Sequence, residues 1–246
     1  MDNTSSIILS KLTAQQRAMD VTAGNIANAS TPGYRAERMV FTDWLSSQQN
    51  TTAPKGDRTV AFTQDRATYR EQAEGTLTQT GNPLDIAISG SGYFTVQTAN
   101  GTRLSRAGRF SLQADGTIAD ANGNALLDTN NQPLKVGPED TNLTVTADGG
   151  ISSQNGPIGK IAIVTPADQN RMTAEGSRLF NPGGPTTQVV TPKLIQGTVE
   201  DSNVQPISEL VRMMDTERNF QFATQFVDAE GQRHQTAIDK IADANV

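Results

Sequence analysis

The chain has 246 residues, 35% of them hydrophobic and 5% aromatic; that is enough for one large domain, or a medium one with extensions, but supplies few bulky anchors for a single dense core. Its formal charge of −6 and pI near 4.8 argue against nucleic acid and against an anionic membrane surface, because both call for a positive field. The lack of cysteine excludes disulfides, thiolate catalysis and zinc–sulfur sites.

The opening MDNTSSIILSKL has no basic segment ahead of its short apolar run, so no cleaved secretory signal is expected. No stretch reaches the roughly 20 apolar residues of a membrane span. From about Thr4 to Ala29 no proline intervenes, and Gly24 is the only glycine. Ile8, Leu12, Met19 and Ile26 recur on one helical face, with polar Gln15 and Thr22 between them. This predicts a helix with a narrow apolar stripe, suited to an assembly seam. Asn25 and Asn28, poor helix formers, either cap and fray its end or use their amides to fix register against neighbouring helices. Ser30-Thr31-Pro32-Gly33 stops the helix, with Pro-Gly at the two central positions of a type II turn before Tyr34. Residues 33–76 read as an extended connector, with Phe41, Trp44 and Leu45 as scattered anchors around the breaker-rich SSQQNTTAPKGD.

From about Leu77 to Val199 the pattern turns β-rich. Asn100-Gly101, Asp115-Gly116, Asn122-Gly123 and Asp148-Gly149 mark tight turns between short β-prone runs. Tyr93–Thr98, Arg109–Gln113, Leu143–Ala147 and Lys160–Val164 are the strand candidates, and their spacing suggests an antiparallel sandwich or barrel-like domain. Pro206 then suits the first turn of a second helix. Ile207, Leu210, Val211 and Met214 repeat at helical spacing, and Met213, Phe220, Val227, His234 and Ile241 form a seven-residue series. The expected architecture is α+β. Residues 1–32 and 201–246 form long terminal helices that pair in a coiled-coil assembly core, and residues 77–200 form the antiparallel β domain.

Chemical motifs are weak. Gly90-Ser91-Gly92 fails as a phosphate loop, because Thr95 stands where a third glycine belongs and a strand follows. His234, the only histidine, has no accompanying nucleophile signature. Asp115, Asp120 and Asn122 lack the alternating ligands of a calcium loop and read as turn chemistry. Arg103, Arg106 and Arg109 read as a solvated sheet face. No catalytic, metal or cofactor site is expected.

Three stretches carry a family resemblance. AGNIANASTPGYRAE, from Ala23 to Glu37, resembles the N-terminal signature of flagellar basal-body rod and hook proteins. GNPLDIAISGSGYFTVQ followed by RAGRFSLQADGTI resembles that family's β domain, and GTVEDSNVQPISELVRMM its C-terminal signature. The matches come in family order and touch all three zones. Within the family, STPGYRA, SNVQP and the opening Met-Asp are most similar to the proximal-rod branch, while VFTDWL and ISELVRMM resemble the distal-rod branch, kept as the alternative.

The resemblance implies a structural subunit of the rod that spans the periplasm, polymerising helically through its terminal helices and transmitting motor torque. It implies other copies of itself and neighbouring proximal and distal rod proteins as partners. It also implies passage through the type III export apparatus, with no nucleic acid and no direct membrane insertion. The expected interface comprises Ile8, Leu12, Met19, Asn25, Ile26, Asn28, Leu210, Met213, Phe220 and Val227, with Thr31, Pro32, Gly33 and Tyr34 forming the turn after the first helix. Weaker readings are a secreted enzyme or carbohydrate-binding β domain with helical arms, and an adhesin or scaffold stalk.

Overall fold

The computed structural model describes residues 2–47 and 59–243. The chain divides into two compact units: residues 1–27, 37–71 and 205–246 form one, and residues 28–36 and 72–204 the other.

The first unit holds the helices α1 (Asp2–Ala27) and α2 (Pro206–Asp243) and the strands β1 (Glu37–Ser47) and β2 (Thr59–Arg70). β1 and β2 pair antiparallel from Glu37↔Arg70 to Ser47↔Thr59, with a register shift after Val40. Two strands therefore occupy the stretch expected to be an extended connector. Its middle, residues 48–58, lies outside the described residues. The bulge after Val40 shifts the register by one residue, so a single period-two alternation does not run through the strand.

The expected coiled-coil core is corrected by the structure. There is one helix at each end around a large antiparallel β middle, so α+β holds but the seven-residue apolar seam does not. Among the described residues, the buried positions in the helices are Ala14, Thr22, Asn25 and Glu209, which are small or polar where a coiled coil places large apolar side chains. Ile8, Leu12, Met19 and Ile26 lie on a flank that is only partly buried.

The second unit is antiparallel throughout. Its main sheet runs in the order Thr173–Glu175, Leu179–Asn181, Gly101–Ser105, Tyr93–Thr98, Ala125–Leu126, Ile118–Asp120 and Phe110–Leu112, with Ile163–Pro166 and Thr186–Gln188 attached beside it. Ile86–Ile88 pairs with Leu194–Gln196, and Leu77–Gln79 with Thr198–Glu200, so the first and last strands of the unit close on each other. Ile86, Phe94, Ile118, Leu126, Ile151 and Ile163 lie in one buried cluster, with Phe94 edge-on to Phe110 at 5.2 Å.

Of the strand candidates, Tyr93–Thr98 is a strand as expected, and the strand Phe110–Leu112 lies inside the second candidate. The third contains only Thr144–Val145. The last spans a break, since Lys160 ends one strand and Ile163 begins the next. The four turn glycines, Gly101, Gly116, Gly123 and Gly149, all have positive φ. Among the described residues, no helix is long and apolar enough to cross a membrane.

Candidate assembly surface

α2 has two apolar faces. At about 100° per residue, Ile207, Val211, Met214 and Phe222 fall within about 80° of one another, flanked by Leu210 and Phe226. All six are exposed, Ile207 at 81% and Phe222 at 69%. Glu209, Met213, Thr216, Phe220 and Ala223 occupy an arc of similar width on the opposite side, and each is buried or partly buried. α1 is the helix that packs against α2, and it accounts for this covered arc. Asn25, near the end of α1, meets Glu209 in the first turns of α2, so the helices run antiparallel from that point. α2 has 38 residues and α1 has 26. Its distal part therefore runs past α1 by about 18 Å, which leaves Ile241 at 64% exposure.

A polar knot fastens these helices to the hairpin. The Asn25 Nδ2 donates to Glu37 O at 2.9 Å, and Glu37 N–H donates to Asn25 Oδ1 at 2.9 Å, so the amide copies a strand partner. The same Nδ2 also donates to Glu209 Oε2 at 3.2 Å. Glu209, only 1% exposed, accepts from Arg38 at 2.6 Å and from Arg212 at 3.0 Å. Arg38 also reaches Glu71 at 3.2 Å. Burial acts to lower the Arg38 pKa, but hydrogen bonding and charge from Glu209 and then Glu71 outweigh it, and the net shift is upward.

The expected interface residues are thus dispersed. Leu210 lies on the open face of α2, Val227 is 39% exposed, and Met213 and Phe220 lie on the covered arc. Asn25 is fully buried within its own unit, and Asn28 is partly buried. Asn28 belongs to the second unit, with the turn that follows. There Tyr34 N–H donates to Thr31 O at 3.2 Å, closing the turn, and Gly33 has φ +70°, as the second central residue of a type II turn requires. Gly33 and Tyr34 are buried, and Thr31 and Pro32 partly so.

The arginines of the second unit correct the expected solvated face. Arg106 is 2% exposed. Its Nε donates to Glu200 Oε2 at 2.5 Å, and its terminal nitrogens donate to the carbonyls of Ile88, Gly90 and Gly92. Gly90-Ser91-Gly92 therefore turns two of its carbonyls to a cation, the opposite of a phosphate cradle. Glu200 also accepts from Arg35 Nη2 at 3.3 Å and from Gly75 N–H at 3.2 Å. Arg103 pairs with Glu175 at 2.8 Å, and Arg109 is exposed. Sequence reasoning missed Arg38, Arg106, Glu200 and Glu209. A lone glutamate in the buried strand Thr198–Glu200 was the available signal, since an unpaired charge is not buried there.

Asp120 accepts from Asn122 N–H, Asn124 N–H and Asn124 Nδ2 at 2.8–2.9 Å, which is turn chemistry. Among the described residues no group of three or more His, Asp or Glu side chains is placed to hold a metal. His234 lies 3.4 Å from Glu230 on the surface of α2.

Comparison with known proteins gives this geometry a context. Residues 9–35 match the family described as Flagella basal body rod protein, residues 87–153 the Flagellar hook protein FlgE/F/G D1 domain, and residues 195–240 the Flagellar basal body rod FlgEFG protein C-terminal. The flagellar basal-body rod protein FlgF of Caulobacter vibrioides is 30% identical over 247 residues, covering the whole of both chains. The chain belongs to the flagellar basal-body rod protein family. It is a structural subunit of the rod, located in the flagellar basal body. This rod protein is also 32% identical to FlgF of Mesorhizobium japonicum over 225 residues, 90% of each chain. It is 31% identical to the rod protein FlgG of Bacillus subtilis over 231 residues, 84% of this chain and 86% of that one. The relatives are rod proteins, and the three matched segments of this rod protein cover most of α1, part of the β middle and most of α2.

Proposed function

We propose that this rod subunit takes a proximal position in the rod and assembles helically, with further copies of itself and with adjoining rod proteins, through the open face of α2. The observation that carries this reading is the second apolar face: Ile207, Leu210, Val211, Met214, Phe222 and Phe226 are exposed while the opposite arc is covered by α1. A contiguous apolar face left open on a subunit marks a protein contact. A repeated contact whose symmetry does not close produces a tube. The proximal placement draws on full-length similarity to a FlgF, with the distal position of FlgG as the alternative. The subunit acts by contact and not by catalysis, transmits torque through many distributed interfaces, and reaches the rod through the type III export apparatus.

The test is Leu210→Asp combined with Phe222→Asp. Burying two unpaired carboxylates carries a large penalty, so the variant should be exported and folded yet absent from purified rods. Normal incorporation of that variant would overturn the reading. A photo-crosslinker at Phe222 should capture rod subunits, and the identity of the captured partner decides between the proximal and distal positions. His234→Ala should leave motility intact; loss of motility with a stable, incorporated variant would contradict the non-catalytic reading.

A further inference from the structure

Chain passes between the β unit and the remaining sequence after residues 36, 71 and 204, as well as at its entry after residue 27. The stretches beside the first three of these crossings meet at one asparagine. Asn203 Oδ1 accepts from Ala36 N–H at 2.7 Å, Asn203 Nδ2 donates to Ala73 O at 2.9 Å, and Asn203 N–H donates to Tyr34 O at 3.3 Å. Glu200 joins the same three stretches a few residues deeper. Its carboxylate accepts from Arg35 and Gly75, and its backbone carbonyl accepts from Gly33 N–H at 2.7 Å. Asp201 N–H donates to Thr76 O at 2.8 Å. Arg106 then ties Glu200 to the carbonyls of Ile88, Gly90 and Gly92, and so to the body of the unit.

We propose that Asn203 and Glu200 form a collar that makes the three junction stretches, residues 33–36, 73–76 and 200–203, dock and release as one unit. Residues 200–203 supply partners to both other stretches, so freeing them leaves polar atoms of both unsatisfied, and freeing either of the others leaves Glu200 and Asn203 short of partners. Removing Glu200 would leave Arg35 and Arg106 buried without their shared carboxylate, and breaking a buried pair on one side is costly. Groups in one such network respond together and not independently. A force applied to any one stretch is therefore shared by all three. This mechanical consequence rests on the rod reading; the cooperative docking does not.

Hydrogen exchange at single amides of the full-length monomer tests the collar without any rod. The informative amides are those a variant does not touch. Glu200→Gln keeps the shape of the side chain and removes its charge, and should speed exchange at Ala36, whose acceptor is Asn203, by about tenfold or more. Asn203→Ala should speed exchange at Gly75, whose acceptor is Glu200, by a similar factor, while Leu126 in the core changes far less. If each variant speeds only the amides bonded to the altered side chain, the stretches dock independently and the collar is overturned. Should Glu200→Gln fail to fold, Asn203→Ala decides alone through Gly75. Because the measurement is made on the monomer, a failure of rod incorporation elsewhere leaves its outcome unaffected.

Discussion

At the scale of single residues, the strongest constraints sit where backbone meets backbone. Gly33 has φ +70°, and a Cβ there would lie 2.4 Å from the carbonyl carbon of Arg106. Gly33→Ala therefore meets two obstacles at once, an unfavourable conformation and a steric overlap with main chain. The expected loss is about 3 kcal/mol or more, read as a lowered denaturant midpoint of the β unit. Asn25 presents a different constraint, because its amide serves the Glu37 backbone and the buried Glu209 together. Asn25→Ala leaves these groups short of partners and should destabilise the helix–hairpin unit by about 1–3 kcal/mol, measured by the loss of helical circular dichroism in urea.

Acid sensitivity also belongs to this scale. Hydrogen bonds from Thr117 hold Asp115 below the ordinary carboxylate range; Ser153 and Asn155 do the same for Asp140, and Thr146 and Lys160 for Asp148. Each folded pKa lies below its unfolded value, so the stabilisation is complete above about pH 4 and is lost as pH falls through the folded values. The β unit should lose denaturant resistance in that acid window, and Asp140→Asn should make the loss shallower. An unchanged acid profile in Asp140→Asn would remove this turn from the explanation.

At the scale of elements, the two faces of α2 separate folding from assembly. Phe220 is partly buried on the arc covered by α1, whereas Phe226 is 54% exposed on the open side. Phe220→Ala should weaken the helix–hairpin unit by about 1–3 kcal/mol, less than the roughly 3–5 kcal/mol of a fully buried phenylalanine. Phe226→Ala should leave monomer melting within about 0.5 kcal/mol and lower incorporation into rods. Thermal unfolding of the two monomers, set beside the rod content of cells carrying each variant, checks both expectations. The sequence shows both apolar series but not which is covered. The seven-residue periodicity of Met213, Phe220 and Val227 resembles a seam to another molecule, while in the structure Met213 and Phe220 lie on the covered arc and Val227 is 39% exposed.

For the whole molecule, the interleaved order of the two units sets the consequences. The helix–hairpin unit draws on residues 1–27, 37–71 and 205–246, and the β unit on 28–36 and 72–204. Asn25 and Glu209, bonded to each other, stand 184 positions apart in the chain, and Arg35 and Glu200 stand 165 apart. Both units therefore close only when residues near the C-terminus reach partners near the N-terminus, and such non-local closure is slow. A chain ending before residue 198 should lack the pairing of Leu77–Gln79 with Thr198–Glu200. It should leave Arg106 without the Glu200 carboxylate and bind hydrophobic dyes where the full chain does not. A dye-silent, cooperatively melting truncation would show that the β unit closes without its last strand.

The sequence by itself determined the local structure: a helix at each end, the Pro-Gly stop, the glycine turns, the β-rich middle and the family. These follow from apolar periodicity and from backbone conformations that few residues adopt, and both are properties of neighbours along the chain. Only the tertiary structure decided that Glu37–Ser47 and Thr59–Arg70 pair as antiparallel strands, that Arg106 is buried on Glu200, and that Glu209 binds Asn25 and Arg38. It likewise decided which face of α2 stays open. The reason is that burial of a charge depends on a partner, and here the partners stand 94 to 184 residues away. No local pattern encodes that distance, so an arginine on a strand end and a glutamate in a first helical turn read as solvated until the fold brings them together.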